Sequence, residues 1–447
     1  MRALKTSILI LVLSLLVYQV GCSSGSGSAP ETTTTITATT EASSTTTTQG
    51  ASTTSTASPS ETSTTSTETT TTTTTSTTTT SLLPLIKGPA LGFGGNDADQ
   101  IFRSLTVSPS NPNIIYVGTE GNGIFKSSDG GVTWNWLRQG LLYTHNAVAT
   151  LESYPEIWEM VINPSNENHL HIATVGGGPG PVTGNYPSAT GGVYYTLSGG
   201  EPFTREVNGL SNAAVNSLAM DTDNSATLYL GLNGDLPTFG LEQFAEAGVF
   251  KSLDAGANWA QIYTTPVNRV QSFWKIVPFT ATTLITCGLN LQNSLEAIGL
   301  LKSTDGGQNW ASLTGPAGVN ITFFDVAPQD QNFICALERD KGKIYKSTDG
   351  GNNWEMFNNS ASGPIKISPH NKQNILFSNF YTLFKSSDGL QNSLAVLTPE
   401  GVVDDIEFTS DPNIIYVGCR GYRIYKSTNG GESFTLMVNL RQYIDSQ

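Results

Sequence analysis

A nine-residue phrase recurs along this chain and constrains its fold more than any other feature. It reads Lys-Ser-Ser-Asp-Gly-Gly-Val-Thr-Trp from Lys126 to Trp134. Close copies begin at Lys251, Lys302 and Lys346, and end at Trp259, Trp310 and Trp354. Looser copies begin at Lys385, which lacks the closing aromatic, at Lys426, with Asn429 and Phe434 in the key places, and at Tyr195, with Ser198 and Phe203. The anchor position therefore falls at Asp129, Ser198, Asp254, Asp305, Asp349, Asp388 and Asn429, spaced by 39 to 69 residues. A period of that length marks a unit that cannot bury its own faces and must stack against copies of itself.

Each copy follows β-rich segments. Asn113-Ile-Ile-Tyr-Val-Gly118 and Asn413-Ile-Ile-Tyr-Val-Gly418 are near duplicates, and alternating runs such as Leu105-Thr-Val-Ser-Pro109 and Ile365-Lys-Ile-Ser-Pro369 end in proline. The pattern predicts four strands per unit: a Pro-terminated inner strand, an Ile-Tyr-Val strand, a strand ending in Lys-Ser, and an outer strand opening at the Trp. Outside the N-terminal leader no segment keeps a 3.6-residue apolar period, so helices should be few. The expectation is all-β: a single seven-bladed β-propeller with four-stranded blades. In each turn the Asp carboxylate can accept backbone N–H groups, the glycines supply positive φ and the Trp inserts between sheets. Repetition argues that Asp129, Asp254, Asp305, Asp349 and Asp388 are structural, since one active site has no use for the same residue in every blade.

The phrase resembles the Asp box, or BNR repeat, of sialidase-like β-propellers. Paired with Asn-Pro-Asn-Ile-Ile-Tyr-Val-Gly, it resembles a wider group that includes xyloglucan-cleaving endoglucanases, sortilin-type receptors and photosystem II assembly factors. The resemblance spans nearly all of residues 100–438 and implies the propeller fold. Sialidase activity would require an arginine triad and an Arg-Ile-Pro signature, and the nearest segment, Ile101-Phe-Arg-Ser-Leu105, lacks the Ile-Pro. The endoglucanases clasp glucan between two propellers, of which this sequence supplies one. The resemblance therefore implies a protein-binding or scaffold role of the assembly-factor kind. A glycan-binding protein or glycoside hydrolase acting on extracellular polysaccharide is the alternative.

The 447 residues are not uniform. Residues 1–22 read as an export signal, with Arg2 and Lys5 before an apolar run from Ile8 to Val17. The run ends at Gln19-Val-Gly-Cys22, which resembles a bacterial lipoprotein signal and implies lipidation of Cys22 on an exported protein held at the cell envelope. Residues 23–81 are nearly all Ser and Thr and too poor in apolar surface to offset the entropy of ordering, so a disordered linker is expected. Residues 82–447 remain for the propeller. A net charge of −14, with 22 Lys plus Arg, excludes the concentrated basic surface that nucleic acid requires. Cys287, Cys335 and Cys419 fall in second strands of different blades and read as buried thiols. A monomer without cofactor is expected.

No catalytic residues can be named from the sequence. His169 and His171 share a strand face, but no third ligand stands nearby, so no metal site is expected. One asymmetry points to binding. Loops between second and third strands are short in blades five to seven but long in blades two to four, at 175–192, 231–248 and 288–299. The connection from Asn135 to Pro155 is also long. Loops on a rigid scaffold commonly carry recognition, which makes Trp136, Tyr143, His145, Tyr186, Asp235, Phe239, Glu242, Phe244 and Glu246 the candidate contacts for a protein or glycan. Glu296 joins Asp235, Glu242 and Glu246 as an acid that a hydrolase could use.

Overall fold

The computed structural model describes residues 102–445, apart from residues 121, 142, 145–151, 176–190, 211–213, 233–246, 265–270, 291–298, 314–318, 340 and 358–359. Cys22, the leader and the Ser/Thr linker lie outside the described residues, as do His145, Tyr186, Asp235, Phe239, Glu242, Phe244, Glu246 and Glu296.

Strand formation follows the sequence pattern closely. Phe102–Val107, Ile115–Thr119, Ile124–Ser127 and Asn135–Leu137 form the first four-stranded antiparallel sheet, paired in chain order. Six more sheets repeat that order, the last comprising Val403–Phe408, Ile415–Cys419, Arg423–Ser427 and Thr435–Asn439. The protein is thus an all-β, seven-bladed propeller with four-stranded blades. Its one helix among the described residues is Arg441–Asp445.

Apolar side chains bury between blades rather than within one centre. Seven clusters fill the seven seams of the ring. Tyr116 of blade one packs with Ile157, Leu170 and Ile172 of blade two, while Phe102 and Leu105 pack with Tyr416, Tyr422 and Ile424 of blade seven. This arrangement lets a long chain stay one body, because every blade owns an interface with each neighbour. Close approach at the seams depends on glycine in the second strand. A Cβ on Gly118 would lie 2.4 Å from Ile157 Cγ2, and one on Gly418 would lie 2.1 Å from the Phe102 ring.

Hydrogen bonds explain the turn phrase. Asp129 Oδ1 accepts from Val132 N at 3.0 Å, Thr133 N at 2.9 Å and Ser127 Oγ at 2.8 Å, while Ser127 Oγ accepts from Gly131 N at 2.8 Å. Asp349 repeats the arrangement with Asn352 N, Asn353 N and Ser347 Oγ. The two central turn positions have positive φ in the Asp- and Asn-anchored copies, including Ala255 at 57° and Leu390 at 77°. Leu390 is a buried member of the cluster between blades five and six, and this burial offsets its backbone strain.

Lysines that open the repeated phrase link one blade to the next. Four of them reach the following blade. Lys302 Nζ donates to Gly350 O at 3.2 Å, Lys346 Nζ to Gly389 O at 2.8 Å and Lys385 Nζ to Gly430 O at 2.8 Å. Lys126 makes the same bond to Gly199 O, and burial lowers the pKa of its ammonium. Each bond joins two blades through the carbonyl of a turn glycine. Lys426 makes no such bond among the described residues; its Nζ lies 5.3 Å from the centre of the Tyr416 ring.

The ring closes without exchange of strands, since blades one and seven are each contiguous in sequence. Side chains do the closing. Asn122 Nδ2 donates to Tyr422 Oη at 2.6 Å, and Asp405 Oδ2 accepts from Leu105 N at 2.9 Å. Cys287, Cys335 and Cys419 are buried free thiols in second strands.

Candidate binding face at the channel mouth

The inner strands line the central channel, and their register shapes its mouth. In six blades the pairing of first and second strands slips by one residue near the start of the inner strand. The extra residue is Arg103, Trp158, Asn216, Trp274, Thr322 and Asp404 in turn. A bulge of this kind bends the strand and re-aims a side chain. Blade six has Gly363-Pro364 ahead of its short inner strand, Ile365–Ile367. The bulges occur where second strands end, the end from which the long connections of blades two to four leave.

Two bulged tryptophans meet there. Trp158 of blade two and Trp274 of blade four lie edge to face, with ring centroids 5.6 Å apart, spanning blade three. Trp158 Nε1 donates to Glu156 Oε2 at 3.0 Å. Trp274 Nε1 is buried without an acceptor. Across the mouth, Arg420 pairs with Asp404 at 3.1 Å and Arg423 with Glu400 at 3.2 Å. The mouth thus offers aromatic surface on one side and ion-paired polar groups on the other.

Below the mouth most of the channel charge comes from blades four to seven, with Glu159 of blade two facing it. Positions that face inward in blades one to three hold Ser104, Thr106, Glu159, Val161, Ser217 and Ala219, whereas blades four to seven place Lys275, Asp325, Lys366, Asp405 and Glu407 there. Lys275 pairs with Asp325 at 3.1 Å and Lys366 with Glu407 at 3.5 Å. Asp325 Oδ2 also accepts from Ile367 N at 2.8 Å. These links run from blade four to blade seven, and Asp405 continues them to blade one.

Trp136 lies in a different place from the one expected of it. It belongs to the outer strand Asn135–Leu137, not to a free connection. Its ring stacks on Phe125 at 5.8 Å, Arg138 lies over it at 4.0 Å, and its Nε1 donates to Asn122 O. Tyr143 begins a two-residue strand, Tyr143–Thr144, paired with Glu152–Ser153 inside the inter-blade connection. His171 is buried and stacks on Tyr195 at 6.2 Å, and burial, with His169 nearby, lowers its pKa to about 4. No group of three metal-ligating side chains occurs among the described residues.

Sequence reasoning missed Trp158, Trp274 and the channel charges. A signal for Trp158 exists in the inner strands, aligned on the proline that ends them. Arg103, Trp158, Thr322 and Gly363 all stand six residues before Pro109, Pro164, Pro328 and Pro369. In blades one, two and five that column is the bulged position.

No family model matches this chain, and no curated protein matches it. Among solved structures it is similar to a GH74 enzyme of Niastella koreensis, at 15% identity over 75% of this chain and 65% of that one, with a TM-score of 0.39. It is similar to YCF48 bound to D1 peptide, at 15% identity over 64% of this chain and 82% of that one, TM-score 0.47. It is also similar to the GH74 xyloglucanase from Xanthomonas campestris, at 14% identity over 74% of this chain and 63% of that one, TM-score 0.37. The chain thus spans just under two thirds of the length of the two GH74 proteins. At such identities and scores nothing about function passes across, and the functional reading rests on this chain's own residues.

Proposed function

We propose that this protein is an exported β-propeller, lipid-anchored through Cys22, that binds a protein partner at the cell envelope. The recognition face in this reading is the channel mouth of blades two to four. The observation that carries it is the meeting of Trp158 and Trp274 at 5.6 Å, at the end of the ring from which the long loops leave. Aromatic pairs on a rigid scaffold supply large contact area at little cost in side-chain entropy, which is why tryptophan is enriched at energetic centres of interfaces. The repeated turn belongs in this reading to the Asp-box class, and its aspartates hold the scaffold rather than the ligand. The Ser/Thr segment acts as a tether that carries the propeller away from the membrane.

Tryptophan beside a carboxylate also suits a sugar ring, and this favours surface glycan as the second reading, with hydrolysis as its extreme form. One experiment separates the two. The full chain and a Trp158→Ala/Trp274→Ala variant are compared in capture from native envelope extracts, on a glycan array and in polysaccharide hydrolysis. Protein capture that falls at least tenfold in a still-folded variant supports the proposal. Polysaccharide turnover by the unmodified chain overturns it. The anchor is tested separately by mass spectrometry of the mature N-terminus, where a product without lipid on Cys22 refutes it.

A further inference from the structure

The channel brings together six ionisable side chains from five blades that are far apart in sequence: Glu159, Lys275, Asp325, Lys366, Asp405 and Glu407. Four are carboxyl groups and two are ammonium groups, so full ionisation leaves two negative charges in excess. Both lysines already have partners, in Asp325 and Glu407. Asp405 accepts backbone N–H groups from Leu105 and Ile406. Among the described residues Glu159 makes no hydrogen bond and no ion pair, although both lysines and two of the other carboxylates act on it electrostatically. Asp405 and Glu407 stand two apart on one strand, on the same face, and repel each other.

We propose that the channel is a two-proton site: the folded ring binds two protons on this carboxylate cluster, and doing so cancels its excess charge and tightens the ring. The protons come from solvent and add to carboxylate oxygens, taking the six groups from a net charge of −2 to zero. They belong to the cluster as a whole, since coupled groups titrate together. Burial pushes the Glu159 carboxyl up to about 7, with Asp405 and Glu407 adding to the shift and Lys366 and Lys275 opposing it. Burial likewise pushes Glu407 up to about 7, against the pull of Lys366, and raises Asp405. Lys366 moves upward despite burial, because Glu407, Asp405, Asp325 and Glu159 hold it charged. On the strands flanking Glu159, the described side chains facing the channel are Ser104, Thr106, Ser217 and Ala219, none of which titrates here.

The sign of the linkage follows. In the unfolded chain a glutamate titrates at about 4.3, so between about pH 5 and 7 the folded ring holds protons that the unfolded chain has lost. The stabilisation is complete below the unfolded value and disappears as pH rises through about 7. The Glu407 carboxylate also lies against Val107 N, and Asp405 against Leu105 N, so the seam that closes the ring runs through the same cluster.

Calorimetric unfolding of the full chain near pH 6, in buffers of different ionisation enthalpy, counts the protons released. His171, buried and neutral, takes up a proton of its own on unfolding, so the decisive quantity is the difference between unmodified chain and variants. Glu159→Gln and Glu407→Gln should each reduce the release by about one proton. Glu159→Gln, which imitates the protonated state, should also raise the denaturation midpoint at pH 8.5 towards its value at pH 5.5. Infrared spectroscopy of the folded chain at pH 6 should show a protonated-carboxyl band that weakens in Glu159→Gln. Proton release unchanged in both variants, or a folded chain without that band, overturns the proposal.

Discussion

A short acidic side chain in five of the seven turns does the work of several backbone partners. Asp129, Asp305 and Asp349 each collect two or more N–H or O–H donors, and these donors hold their pKa values low, at about 2. For Asp349 the leading cause is the Asn353 backbone N–H. A depressed carboxyl contributes stability above its unfolded pKa and loses it as pH falls through the folded value, here from about 4 down to about 2. Blade seven shows what the geometry requires, because Asn429 Oδ1 accepts Ser433 N at 3.1 Å in the same role with no charge. Asp349→Ala should therefore lower the thermal midpoint at pH 7, while Asp349→Asn should retain most of it and flatten the loss below pH 4. Differential scanning calorimetry across pH 2–7 checks both, and a loss of partner capture without a change in midpoint would contradict the structural role.

Neighbouring blades are joined by more than apolar packing. Lys346 reaches across the seam to the carbonyl of Gly389, a buried group that would otherwise lack this donor, and its ammonium also lies 3.4 Å from Glu355. Leaving a buried acceptor unsatisfied costs about 1–3 kcal/mol. Lys346→Met keeps the aliphatic stem and removes the donor, so it should destabilise by about 1–2 kcal/mol. Lys426→Met removes the same charge from a blade in which no such carbonyl is reached, and should change stability by no more than about 0.5 kcal/mol. Urea denaturation of the two variants gives the comparison. Equal losses would mean that the lysines act through general charge rather than as bridges.

The ring is held shut by side chains across one seam. Many connections could in principle carry the chain termini, because no blade borrows a strand from the other end of the sequence. A circular permutant that joins the present ends by a short linker and opens the chain between Asn358 and Asn359 should fold to the same seven blades. Those residues connect the outer strand Glu355–Phe357 to the inner strand Ile365–Ile367, so all twenty-eight blade strands survive intact. Its far-ultraviolet circular dichroism should match that of the unpermuted chain, with one cooperative unfolding transition. A permutant that melts in two steps would show that the seam between blades seven and one depends on where the chain begins.

Local chemistry made much of this legible beforehand. The number of blades, the order of strands, the Lys-Ser end of six of the seven third strands and the turn conformation all follow from short-range patterns: period-two burial, glycine at positive φ, and an Asp within four residues of its donors. Tertiary structure alone decided which residues share the channel. Glu159 and Glu407 are neighbours in charge but 248 positions apart in sequence, and neither lies in a motif. Their meeting depends on the inner-strand bulge and on the closure of seven blades into a ring. The same holds for Trp158 with Trp274, and for each lysine with the carbonyl of the next blade. A repeat reveals what is common to its copies, whereas a binding face is built from what differs between them, and those differences acquire meaning only when the ring brings them to one centre.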